Sequence, residues 1–441
     1  MNRERYEVKT KELRPGRFIR AHVPGSKSMT NRALLLAAMA EGESVIKNCM
    51  SSEDARVFIE ALKVLGFAIT ETDSEGSRIV KNRDIVIKGC GGRLPVKKAD
   101  IHVGSAGTAA RFLLAMLAFS DGEYFMDSSE QMKARPMGPL IEALTAAGAE
   151  VECTGRQGHF PMRVKGNGGQ FPAEISVNIE DSSQFLSALL IAAAAAGKET
   201  AIRAVGTHGM SYVLMTASMI ESFGGKATLA GKDPYCWHFD GSRLLAGRIY
   251  EVEPDMSAAA YFYAAGALLG CRAQVAGVKS GMLQGDIAFL DVLEKTGCSL
   301  SQDEEGIVLA GPDGGMLKSP GVTDMSAFSD QALTLAALAP FCEGEVVIKG
   351  IAHIRKQECD RISAMSSNLS ALGIDCEETE DGIRICGGTP RGAELDSFGD
   401  HRVAMSFALC GLRCEGVVIR DPDCCRKTFA EYFEELEEAL A

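Results

Sequence analysis

The chain has 441 residues, 46% of them hydrophobic and 24% charged, with a formal net charge of −13. That length exceeds what one hydrophobic core usually serves and points to two domains. The acidic balance argues against nucleic acid or an anionic membrane as the main partner, yet it leaves room for small anions held by a few focused Lys and Arg.

Along the chain one pattern recurs: a polar turn, an Ala/Leu-rich helix, Gly, a β-branched strand, a polar loop, an amphipathic helix and another strand. The first copy reads TNRALLLAAMAEGESVIKN then DARVFIEALKVLGFAIT, and the second GTAARFLLAMLAFSDGEYFM then MGPLIEALTAAGAEVE. The third begins SSQFLSALLIAAAAAGKETAIRA, the fourth SAAAYFYAAGALLGCRAQVAG, the fifth SDQALTLAALAPFCEGEVVIKG and the sixth DHRVAMSFALCGLRCEGVVIR. The glycines after these helices, Gly42, Gly122, Gly197, Gly270, Gly344 and Gly416, stand 72 to 80 residues apart.

Six βαβα-like units predict two globular domains of three, crossing over near Ala21 and Glu253. The expected bounds are 21–252 for an N-terminal domain and 1–20 plus 253–441 for a C-terminal one. The strand-like EVKTKEL precedes copy one without a partner and is expected to pair in the C-terminal domain.

MNRERYEVKT lacks the apolar stretch of a secretory signal, and the apolar run 185–197 is too short to span a bilayer. Fourteen irregularly spaced Cys do not read as a disulfide framework, so a cytoplasmic location is expected. Cys410 with Cys414, and Cys424 with Cys425, have no accompanying His cluster, so no metal is expected.

Each first helix opens behind a cap-rich or Gly-containing turn: PGSKSMTNR, GSAGTAAR, EDSSQF, EPDMSAA, SDQA and FGDHR. A helix start offers unpaired N–H groups and a partial positive charge, hence an anion site. For any one of them taken alone, ordinary N-capping by Ser, Thr and Asp is the better explanation. Capping does not require Lys27 and Arg32 in the first turn, Arg135 ahead of a Pro, Arg402 beside His401, or Lys427. Glu358 and Arg361, three residues apart, share a helix face. The fourth start, EPDMSAA, carries acids and reads as structural.

PGSKSMTNRALLLAA, GSAGTAAR, MKARPMG, SSQFLSALL, QGD at 284–286, QECDR, GDHRVAM and RKTF, in that order over nearly the whole chain, resemble the motifs of the 5-enolpyruvylshikimate-3-phosphate synthase family. The resemblance implies an α/β (α+β) fold, a two-domain inside-out barrel with three βαβαββ units per domain. It implies transfer of the enolpyruvyl group of phosphoenolpyruvate to the 5-hydroxyl of shikimate 3-phosphate on the route to chorismate, without cofactor, in a chain that is commonly a monomer and a target of glyphosate. Both substrates are polyanions, whose burial requires several cations and N–H donors.

Carried over by motif, Lys27, Ser28, Arg32, Ser182, Ser183, Gln184, Tyr212, Asp330, His353 and Gln357 are expected to hold shikimate 3-phosphate. Lys27, Gly107, Thr108, Arg135, Gln184, Arg361, Arg402 and Lys427 are expected to hold phosphoenolpyruvate. Asp330 is the expected base for the 5-hydroxyl, with Glu358 and Lys27 exchanging protons at the methylene carbon.

Gln357 and His353 stand where the family more often has Lys and Asn, Ser105 replaces the usual Asn, and GTHGMSY at 206–212 leaves open whether Thr207 or Ser211 meets the phosphate. Two other readings stay open on sequence alone. One is a UDP-N-acetylglucosamine enolpyruvyltransferase, argued against by the absence of Cys from SSEQMKARPMG. The other is a silent phosphate-binding homologue.

Overall fold

A computed structural model describes residues 4–13, 16–232 and 234–441. The chain separates into two compact units. One comprises the residues up to Pro24, Gly76–Lys81 and Glu253–Ala441; the other comprises Gly25–Glu75 and Asn82–Val252. The first change of unit therefore falls at Pro24–Gly25, a few residues beyond Ala21, and the short segment Gly76–Lys81 belongs with the terminal residues. The repeat pattern gives no sign of that segment, which lies in a polar loop between two strands.

Six helices follow the six turns: α1 (Lys27–Met39), α2 (Gly107–Ala118) and α3 (Gln184–Ala196) in the Gly25–Val252 unit, then α4 (Met256–Leu269), α5 (Ala332–Leu338) and α6 (His401–Gly411) in the other. Every residue of α2, α4, α5 and α6 is buried, as is α1 from Met29 onward. A helix apolar on all sides has no solvent face and must be enclosed, and Ala permits close approach while burial of Leu and Phe supplies the stabilisation.

One sheet rule applies in both units. The strand after each buried helix runs parallel to one neighbour and antiparallel to the other. Glu43–Met50, after α1, lies between Ile249–Glu251 (parallel) and Asn82–Lys88. Glu123–Asp127 lies between Lys98–His102 and Met162–Lys165, and Glu199–Val205 between Glu174–Asn178 and Tyr235–Asp240. In the other unit Arg272–Val275 lies between Phe18–Ala21 and Ile307–Ala310, and Glu345–Lys349 between Val322–Asp324 and Ile383–Cys386. The strands form separate sheets, and none of those described closes into a barrel.

The sixth sheet is completed differently. Val418–Arg420 runs parallel to Glu394–Leu395, and its antiparallel neighbour is Arg5–Glu7 from the start of the chain. The expected strand EVKTKEL contributes only Glu7 to this ladder. Val8 N still donates to Val417 O at 3.0 Å, but Lys11 N turns to Leu412 O at the end of α6, which takes the segment out of the sheet. Among the described residues no helix is long and apolar enough to cross a membrane.

Candidate active site

In the Gly25–Val252 unit the three buried helices start without a side-chain cap. Neither Ser26 before α1, Ala106 before α2 nor Ser183 before α3 accepts a capping hydrogen bond through its side chain. Capping by these residues therefore does not explain the turns, although Ser182 Oγ accepts from Gln184 N at 3.3 Å, and the helix starts lie at the same ends as the cationic side chains.

Arg32, one turn into α1, is 2% exposed. Its Nε donates to Thr216 Oγ1 at 2.7 Å, Nη1 to Ser28 O at 2.9 Å, and Nη2 to Ser187 Oγ and Tyr212 O at 3.3 Å each. All four acceptors are neutral, and burial pushes its pKa down to about 10. A desolvated guanidinium with only neutral partners keeps an unmet demand for an anion.

Gly107 and Thr108 open α2. A methyl group on Gly107 would stand 2.7 Å from both Arg111 Nη1 and Arg135 Nη1, so two guanidiniums flank this helix start. The Arg135 guanidinium makes no hydrogen bond or ion pair among the described residues, and its buried Nε has no acceptor. Arg111, 2% exposed, donates to Gln184 Oε1 at 2.8 Å and so joins α2 to α3. Lys27 Nζ lies 3.8 Å from Asp54 Oδ2, a carboxylate 7% exposed. Lys27, Arg32, Gly107, Thr108, Arg135, Ser183, Gln184 and Tyr212 are thus brought to one end of this unit, linked by Arg32 and Arg111.

The other unit gathers Asp330, Gln357, Glu358, Arg361, Arg402 and Lys427. Arg361, the first residue of its helix and 1% exposed, is the hub. It reaches Asp330 Oδ1 at 2.8 Å through Nη1, Glu358 Oε2 at 3.1 Å through Nη2 and Asp400 Oδ2 at 2.8 Å through Nε. Nη1 also donates to Gln357 Oε1. Burial opposes its charge, but Asp400, Glu358 and Asp330 outweigh that and hold its pKa above the ordinary value. Arg402 Nη2 meets Asp330 Oδ2 at 2.8 Å, and Lys427 Nζ meets Glu358 Oε1 at 3.2 Å. His353 Nε2 pairs with Ser329 Oγ at 2.8 Å, which places it beside the Asp330 turn.

Here two of the three buried helices are capped by acids, and α5 has no side-chain cap. Asp255 accepts from Ala258 N at 3.0 Å and Asp400 from Arg402 N at 2.9 Å. Three cations and three carboxylates therefore form one network of ion pairs centred on Arg361. Asp54, Arg111 and Asp400 also touch these side chains, and the sequence alone does not single them out. Arg111 and Asp400 lie inside quoted motifs, but only contacts between distant segments show what they hold. Fourteen Cys stand as free thiols, and among the described residues no group of three His, Cys, Asp or Glu is arranged to hold a metal.

Two units of triplicated α/β architecture, with buried arginines at helix starts and a carboxylate in an arginine clamp, define an enzyme for multiply negative small molecules. The profile of EPSP synthase (3-phosphoshikimate 1-carboxyvinyltransferase) matches residues 19–436. The chain belongs to this family and is a transferase. It is 39% identical over 415 residues to the 3-phosphoshikimate 1-carboxyvinyltransferase of Trichormus variabilis, covering 93% of this chain and 94% of that one. It is 38% identical over 433 residues to the chloroplastic protein of that name from Arabidopsis thaliana, covering 94% and 81%. The EPSP synthase structure from Acinetobacter baumannii superposes with a TM-score of 0.80 at 26% identity, over 99% of this chain and 98% of the other. The enolpyruvyl transferase NikO of Streptomyces tendae shares the fold, with a TM-score of 0.74 at 18% identity over 98% and 96%.

Proposed function

We propose that the chain's reaction, enolpyruvyl transfer from phosphoenolpyruvate to the 5-hydroxyl of shikimate 3-phosphate with release of phosphate, runs through the two groups of residues just described. Lys27, Ser28, Arg32, Ser182, Ser183, Gln184 and Tyr212 take shikimate 3-phosphate, with Asp330, His353 and Gln357. Gly107, Thr108 and Arg135 take phosphoenolpyruvate, with Lys27, Gln184, Arg361, Arg402 and Lys427. The observation that carries this reading is the contrast between Arg32 and Arg135, which have no acid partner, and Lys27, Arg361, Arg402 and Lys427, which do. Anions supplied by substrates complete the former without displacing a protein carboxylate.

Asp330 removes the 5-hydroxyl proton as that oxygen adds to the central carbon of phosphoenolpyruvate. Glu358, held by Arg361 and Lys427, and Lys27 exchange protons at the methylene carbon. The methylene carbon gains a proton in the addition and becomes a methyl group; departure of phosphate with one proton of that methyl group then restores the enol ether. All required charge comes from side chains and helix N–H groups, so the mechanism uses no cofactor.

The two units are proposed as the enolpyruvyltransferase domains, and the chain as a cytoplasmic monomer with neither nucleic acid nor membrane as partner. The net charge of −13 supports the exclusion of polyanionic partners. UDP-N-acetylglucosamine as acceptor is not favoured, and a silent homologue is opposed by the presence of Lys27, Asp330, Glu358, Arg402 and Lys427 together. A phosphate-release assay with each acceptor tests all of this. Release should require shikimate 3-phosphate and collapse in Arg402→Ala; turnover with UDP-N-acetylglucosamine, or none with either, would overturn the reading.

A further inference from the structure

Asp286 closes the motif QGD, to which the mechanism above gives no task, and it lies beside the fourth helix start, the one with acids at its beginning. Its carboxyl is 2% exposed. Oδ1 accepts from Gln331 Nε2 at 3.0 Å and from Ser257 Oγ, near the start of α4, at 3.1 Å. Gln331 follows Asp330 in the same turn, Ser329–Gln331, and its Oε1 accepts from Thr334 Oγ1 at 3.0 Å. Asp286 is therefore bonded to the residue next to the proposed base. It also faces Asp330, Arg402 and Asp255 electrostatically. From α4, Tyr261 presents a wholly buried hydroxyl toward Arg402 and Asp330, without a well-formed hydrogen bond.

A carboxylate between two guanidiniums is stabilised in its ionised form, which makes it reluctant to take a proton. Asp330 is in that position, with Arg361 and Arg402 each at 2.8 Å. A base for an alcohol needs the opposite bias. A second negative charge nearby supplies it, because like charges raise each other's affinity for protons and titrate as a pair.

We propose that Asp286 is a positioning residue for this reaction. Through Gln331 it fixes the turn that carries Asp330, and its charge beside Arg402 keeps Asp330 basic enough to take the 5-hydroxyl proton. The inference rests on Asp330 being the base. The two carboxyls act on each other: burial first, then the Asp330 charge, raise the Asp286 pKa, while Arg402 and the Gln331 hydrogen bond oppose that and favour its ionised form. On this proposal the fourth helix start also serves the reaction, since its Ser257 bonds Asp286 and its Tyr261 is buried beside Arg402.

The test is Asp286→Asn, nearly isosteric and still an acceptor for Gln331 and Ser257. Expected are a melting temperature close to wild type, a kcat lower by more than about tenfold, and an acid limb of the kcat–pH profile moved down by about one pH unit. A rate within about twofold of wild type, or a lower rate with the limb unmoved, would overturn the proposal. Should the variant not fold, carbon-13 titration of the aspartate carboxyls in the wild-type chain decides the matter. Two-step titration of an aspartate that responds to shikimate 3-phosphate is expected, and single-step titration of all of them overturns the proposal. Asp330→Asn, assayed in parallel, separates the two readings. If it keeps the wild-type rate, the base and the inference fall together; if it is inactive while Asp286→Asn is normal, only the inference falls.

Discussion

Arg361 and Asp330, thirty-one positions apart, are bound to each other at 2.8 Å, and the same guanidinium also holds Asp400 and Glu358. The residue assigned to the phosphoenolpyruvate site is therefore also the structural centre of its unit. Arg361→Ala would leave three carboxylates around a space 1% exposed, so a loss of roughly 3–5 kcal/mol in unfolding free energy is expected. Arg361→Lys should recover only part of it, because a single ammonium cannot serve three directions. Chemical denaturation of both variants measures this, and equal stability of Arg361→Ala and wild type would refute the hub.

Arg32 is expected to behave differently, since it has no carboxylate partner. Arg32→Ala should weaken shikimate 3-phosphate binding by about 2–5 kcal/mol. With its pKa lowered to about 10 by burial, the free site holds its charge below that pH and loses it above. Calorimetric affinity should accordingly stay level on the alkaline side up to pH about 10 and fall beyond it.

Gly107 is hemmed in by Arg111 and Arg135. Gly107→Ala should displace the Arg135 guanidinium, the more flexible obstacle, and raise KM for phosphoenolpyruvate several-fold more than it lowers kcat. Glyphosate should inhibit the wild-type chain and inhibit the variant less. Full wild-type activity in millimolar glyphosate would count against the assignment of this helix start.

Gln357 accepts a hydrogen bond from Arg361 and contributes no charge. Gln357→Lys should tighten shikimate 3-phosphate binding by about 1 kcal/mol and make it more sensitive to salt. An unchanged dissociation constant at low and high ionic strength would show that this position does not face the phosphate.

His22 gives a pH signature away from the site. Its Nδ1 lies 3.8 Å from Oε1 of the buried Glu435, and that carboxylate raises its pKa above the ordinary 6.5, although burial opposes the shift. Folding therefore favours the protonated ring. The stabilisation is complete below pH 6.5 and is lost as pH rises through the raised value. Melting temperatures should fall across that window in wild type and fall less in His22→Gln.

The sequence by itself determined the sixfold repeat, the six buried helices and the family, because an all-apolar helix between Gly and a polar turn is a local pattern that composition and spacing record. It also placed Lys27, Arg32, Arg135, Asp330, Glu358, Arg361, Arg402 and Lys427 at helix starts or loops, where their motifs lie. Which of them are paired was decided only by the tertiary structure. Arg32 meets neutral groups from two other helices, whereas Arg361 meets three acids, and no local spacing distinguishes the two. Nor could the sequence show that Arg5–Glu7 rather than EVKTKEL completes the last sheet, that Gly76–Lys81 joins the unit of the termini, or that Asp286 stands beside Asp330. Each depends on contacts between segments far apart in the chain, and the energies that favour them come from burial and charge in the assembled interior.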